Sequence, residues 1–336
     1  MPRKSSMAVL VLAFSALPPA SAHHSPAMFD LSRDVILEGS IGAISFRNPH
    51  VYFTLEVADA DGRTRTQEIE AGPASNLVPL GIDASSLKSG DRVTVQVKPN
   101  RRGEGEVLGW LLTKADGTVI PLHVRAIPPT QPGAAEATSL AGTWVPQGTG
   151  FSSLAVAART WPLSAAGRAA VEATSAARDA SRSACIPFGP PALMSLPSTV
   201  QIEVTASAVT FALDVMDARR IVHLDAAEHP ARLEPSLHGH SIGRFEGNTL
   251  VVDTVGYAAH PDGFAFDLPS SASKHVVERF TLADDRKHID YEAVVEDPQY
   301  LTGPVTHRAR WDYRPNQQPS NLPCEAEAAS RFAGQQ

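Results

Sequence analysis

Apolar and polar residues alternate with a period of two through most of the chain, in short runs bounded by turn residues, and this pattern predicts strands rather than helices. Between residues 35 and 125 such runs fall at 35–37, 41–46, 51–57, 64–70, 93–98, 107–113 and 119–124. Asp59-Ala60-Asp61-Gly62 and Asp116-Gly117 supply hairpin turns, and Ser89-Gly90-Asp91 leads into the next strand. Only 74–80 and 83–87 read as brief helical turns. So many short strands in so short a span predict a small barrel or sandwich, with an OB-like barrel the most economical arrangement.

Residues 127–139 break the alternation with Pro128-Pro129 and Pro132-Gly133, the composition of a semi-rigid linker, and a domain boundary is expected there. A second unit over 140–330 opens with Leu140-Ala141-Gly142-Thr143-Trp144. Its alanine-rich stretch from 163 to 184 predicts one short helix, capped by Ser164 or a neighbour and running to about residue 181. Alternation returns after Cys185, at 200–205, 208–214, 220–224, 241–245, 249–255, 274–282, 288–296 and 306–313. Antiparallel strands joined by turns such as Glu246-Gly247-Asn248 predict a closed barrel with room for a ligand. The expected fold class is therefore mainly β: an OB-like barrel or sandwich over 23–126, then a larger antiparallel β-barrel with one short helix.

The first residues follow a different rule. Arg3 and Lys4 precede an unbroken apolar run from 7 to 17, and Ala20-Ser21-Ala22 is a small-x-small cleavage site, so residues 1–22 read as a secretory signal peptide. The apolar run is too short to span a bilayer as a helix, which needs about twenty residues. A periplasmic or secreted chain without a membrane span is expected, its mature form starting at His23. In an oxidising compartment the two cysteines, Cys185 and Cys324, predict one disulfide closing a long loop. The formal net charge of -7 gives no basic surface for a nucleic-acid partner.

Two groups of residues carry candidate chemistry. A mature N-terminal His23 offers its amine and imidazole as a two-nitrogen chelate, and His50 would complete a nitrogen set suited to copper, with His24 an additional or alternative ligand. The second group begins with His238 and His240, which share a strand face at spacing two, and continues through Arg244 and the polar strand His275-Val276-Val277-Glu278-Arg279. On that strand His275 and Arg279 lie on one face and Glu278 on the other. These six are the candidate ligand-binding residues of the barrel, and a buried His-carboxylate pair among them could act as acid or base. Nucleophile-elbow, zinc-helix, phosphate-loop and Cys-x-x-Cys signatures are all missing, which lowers the weight of the large hydrolase and nucleotide-dependent classes.

His23-His24-Ser25, Met28-Phe29-Asp30, Gly39, Asn48-Pro49-His50, Glu70 and Gly90-Asp91 together resemble an uncharacterised bacterial periplasmic family, whose members begin His-His-Ser after a signal peptide and carry an Asn-Pro-His strand. Phe46 stands where that pattern has a tryptophan. The second half, through residues 239–244, 246–254, 277–280 and Glu296-Asp297-Pro298, is similar to a group of uncharacterised secreted proteins. That resemblance implies a β-rich, lipocalin-like fold and names no reaction. The leading expectation is a non-catalytic exported binding protein, with a metal ion at the processed N-terminus and a small molecule in the C-terminal barrel. Its rivals are a copper-dependent oxidoreductase centred on His23 and His50, a barrel enzyme using His240 with Glu278 or His275, and a structural envelope module.

Overall fold

The computed structural model describes residues 28–58, 61–123, 126, 135–320, 322–326 and 329. The expected signal peptide, His23, His24 and linker residues 127–134 lie outside the described residues. Strands β1 (Val35–Ser45), β2 (Tyr52–Ala58) and β3 (Thr64–Glu70), helix α1 (Ala74–Leu77), and strands β4 (Arg92–Lys98), β5 (Val107–Lys114) and β6 (Val119–Pro121) build the first unit. Its sheet runs β3-β2-β1-β4-β5-β6, and β3 also pairs with β5 in parallel, at Ile69 to Val107, which closes a five-stranded barrel in the order 1-2-3-5-4. That is the OB-type topology the alternation predicts. Long β1 can serve two neighbours because it bends at an irregularity between Ile41 and Ile44 and because Gly39 lets β2 approach: a Cβ there would meet the Glu56 carbonyl oxygen at 2.3 Å. Inward residues Ile41, Phe53, Leu55, Ile69, Val95 and Leu112 form the core, and α1 adds Leu77 to it.

The second unit contains β7 (Gly142–Pro146), α2 (Gly148–Ala157), α3 (Ala165–Ala173), α4 (Ser175–Ser183), β8 (Val200–Val204), β9 (Ala208–Leu213), β10 (Ala218–His223), β11 (His240–Glu246) and β12 (Thr249–Val255). The hairpin strands β13 (His260–Ala265) and β14 (Leu268–Ser270) follow, then β15 (His275–Leu282), β16 (His288–Glu296) and β17 (Val305–Tyr313). Nine of these strands close a barrel in the order β10-β11-β12-β15-β16-β17-β7-β8-β9. The expected barrel is present, with β7 as a strand beyond those predicted. One pairing departs from the antiparallel expectation, since β10 and β11 run parallel after the long connection over 224–239.

Helix appears where alanine is dense, but not as one element. Ser164 caps α3 by accepting from the Gly167 amide at 3.0 Å, and Thr174, with ψ near zero, separates α3 from α4. A third helix, α2, lies on β17, where Gly150 packs against Ala309. None of the described helices is long and apolar enough to cross a membrane.

The described barrel interior is filled by side chains. Phe211, Phe280, Tyr291 and Trp311 pack ring on ring at centroid distances of 5.0–6.3 Å. Beyond them lies a polar layer in which fully buried Arg220 and Glu278 pair, joined by Ser241, Thr254 and Tyr291. The space that the alternation pattern reserved for a ligand is thus taken up by aromatic rings and a satisfied ion pair.

The two units meet along the C-terminal segment. Asn48, just past β1, is buried and donates to the Leu322 carbonyl, while its own side-chain oxygen accepts from the Ser75 amide of α1. Its main chain accepts from the Glu325 amide, and Arg47 pairs with Glu325 at 2.6 Å. Cys324 forms the expected disulfide with Cys185, just past α4, so the segment that touches the small barrel is tied covalently to the large one.

Candidate functional site

Where the units meet they form a partly open cavity of about 240 Å³. The small barrel contributes Met28, Phe29, Pro49, His50, Glu70 and His123, and the large unit contributes Phe188, Leu196, Met216 and Phe266, with Cys324 between them. The wall is largely apolar, with few polar groups, as small-molecule sites usually are. Met28 and Phe29 are held there by backbone pairing: Phe29 bridges to Asn100, and the Arg101 amide donates to the Met28 carbonyl at 2.8 Å.

His50 is the chemically distinctive group of this wall. Its Nδ1 lies 3.0 Å from a Glu70 carboxylate oxygen and 3.2 Å from the Ala71 carbonyl oxygen. Both neighbours are acceptors, so Nδ1 carries a proton and donates towards them. Burial works to lower the basicity of this imidazole, but the adjacent Glu70 charge and hydrogen bond outweigh it and the pKa is raised. Glu70 is itself buried at the end of β3, beside the parallel pairing with β5 that closes the barrel. Arg182 also reaches the cavity, but it is committed to Asp262 in a two-point contact at 2.7 and 2.9 Å and to Asp267 at 3.1 Å.

The six residues expected to form a barrel site are not gathered around one point. Glu278 faces the interior, on the side of the strand opposite His275 and Arg279, as the spacing predicted. His275, on the opposite face, contacts Asp253 at 3.1 Å. Arg244 and Arg279 both bind Glu246 on the exposed surface, which holds that carboxyl below its usual range. His238 donates from Nδ1 to the Arg219 carbonyl, and its Nε2 is buried with no partner among the described residues. His240 lies on the outer wall with its Nδ1 at 2.9 Å from His229 Nδ1. The pairing of His240 with Glu278 therefore fails on geometry, because the barrel wall stands between them. His240 and His275 do share a neighbourhood, through His229 and Asp253.

Other residues carry chemistry that the pattern of the chain did not single out. Arg220, read only as part of a strand, holds Glu278. Lys274 is buried against the Tyr257 ring and donates to the Pro190 and Gly263 carbonyls, and burial pulls its pKa down to about 7. His229 and Asp253 escaped notice because they stand 24 residues apart, in a loop and in a strand, and no local spacing relates them.

Residues 11–109 match a family of unknown function, DUF6152. The match covers the small barrel through the start of β5 and includes His50 and Glu70. No curated protein and no solved structure matches the chain.

Proposed function

We propose that the chain is an exported two-domain binding protein, with domains over 23–126 and 140–330, whose site is the cavity at their junction. There His50, together with the amine and imidazole of His23 freed by removal of residues 1–22, holds a copper ion, with His24 as a further donor. The apolar remainder of the cavity takes a small molecule, in place of the barrel lumen.

One observation carries this reading: His50 donates from Nδ1 towards Glu70 and the Ala71 carbonyl, which fixes the orientation of its ring in the cavity wall. Metal-binding histidines are held in this way, by a carboxylate or carbonyl on the far ring nitrogen. Reach supports it as well. Met28 lines the same cavity as His50, and the five residues back to His23 extend no further than about 18 Å. Three nitrogens with no thiolate suit a tetragonal copper(II) ion.

The test is a competitive copper titration of the processed protein and two variants. His50→Ala should lose one equivalent of tightly bound copper, and Glu70→Gln should keep that equivalent with affinity weakened about 10–100-fold. Unchanged binding in His50→Ala would overturn the proposal.

A further inference from the structure

Four of the chain's twelve histidines meet on the outer wall of the large barrel, at residues that do not line the junction cavity. His223 ends β10, His240 begins β11 and His275 begins β15, while His229 comes from the connection between β10 and β11. Asp253, on β12 between β11 and β15, is their common carboxylate. His229 Nε2 lies 2.9 Å from Asp253 Oδ1, and His275 Nε2 lies 3.1 Å from Oδ2 and 3.2 Å from Oδ1. His229 Nδ1 is 2.9 Å from His240 Nδ1, and the His240 ring stacks on His223 at 5.1 Å between centroids. On its other side His275 faces Glu296 at 3.5 Å.

Holding the 224–239 connection against the barrel would need one such contact. Here every short contact places a single proton between two atoms that are both good ligands for a borderline divalent metal. Metal bonds of 2.0–2.2 Å in a tetrahedral site put neighbouring donor atoms about 3.3–3.5 Å apart. The observed separations are shorter by up to about 0.6 Å, and they fall on both nitrogens of His229, Nδ1 towards His240 and Nε2 towards Asp253, of which only one can face a shared ion. As the hydrogen-bonded cluster stands, no three of the described side chains converge in ligand geometry. His229 is the one member carried by a connection instead of a strand, so it is the ligand that must turn.

We infer that this cluster is a second metal site, in which His229, His240, His275 and Asp253 take up a divalent transition-metal ion of the zinc class, the protons that now link the rings shifting to the ring nitrogens that face away from the ion. His223 packs against His240 and fixes its ring, and Glu296 steadies His275 from outside the ligand set. Closure around the ion pins the 224–239 connection to the outer wall. The site stands or falls independently of copper at the junction.

The experiment is calorimetric zinc titration of the full mature chain carrying one extra residue before His23, which removes the free histidine amine without altering the fold. One equivalent of zinc should bind. On that background Asp253→Asn and, separately, His240→Gln should each weaken binding by about 100-fold or more. Zinc should also slow amide exchange across residues 224–239 in the unsubstituted protein and not in either variant, a readout that nonspecific binding to surface histidines would not produce. Failure to bind one equivalent, or affinity and exchange unchanged by both substitutions, would overturn the inference.

Discussion

His260 and His307 are buried inside the large unit, at 6% and 4% exposure, and burial lowers both imidazoles to about 4. His307 Nε2 donates to Ser195 Oγ at 2.9 Å, because that hydroxyl spends its own proton on the Pro191 carbonyl. His260 Nδ1 accepts from the Asp262 amide at 3.0 Å. Both are therefore held neutral. Unfolding returns each to its ordinary value of about 6.5. Between pH 6.5 and 4 the unfolded chain binds more protons than the folded one, so the stability these two residues contribute is present above pH 6.5 and is lost as pH falls toward 4. At pH 5 the loss is about 2 kcal/mol for each. His307→Gln keeps a donor for Ser195 but cannot take up a proton. In urea unfolding at pH 7 and pH 5 it should therefore lose about 2 kcal/mol less than the unsubstituted protein. An identical acid slope in the two proteins would contradict the assignment.

Ser164 shows what local chemistry settles at the scale of an element. Its hydroxyl accepts from the Gly167 amide and donates to the Gln299 carbonyl at 2.7 Å, so one side chain starts α3 and ties it to the loop after β16. Ser164→Ala should cost about 1–2 kcal/mol by thermal or urea unfolding, and a change within a few tenths would refute this double role. The cap was legible because the preference for serine there arises from groups three residues apart. The break at Thr174 was not, since alanine continues on both sides and propensity alone favours one long helix. Strands were legible for a similar reason: alternation such as that of Val93, Val95 and Val97 records which face meets the core. Pairing is a different matter. The parallel contacts of β10 with β11 and of β3 with β5 join residues that no local pattern relates.

Across the whole molecule, the features that make the site are the least local ones. Cys185 and Cys324 pair across 139 residues, and Asn48 meets Leu322 across 274. The disulfide could be expected from the count of cysteines, but the place where it closes the junction could not. His50 could be singled out as a candidate ligand, and Glu70 as one of the residues that carry the resemblance over the first unit. Their contact, and the cavity that both line, depend on barrel closure and on the returning C-terminal segment. Glu278 illustrates the converse: its face on the strand was readable, its partner Arg220 was not. Likewise His240 and His275 were visible in the sequence, while His229 and Asp253, which bring them together, were not. The central claim is that export processing creates the metal ligand opposite His50. It is tested by copper titration of two proteins that differ by one residue before His23, both carrying Asp253→Asn and His240→Gln so that the outer wall contributes nothing. The chain beginning at His23 should bind one copper ion at least about 100-fold more tightly than the extended chain, and equal affinity in the two would contradict the claim.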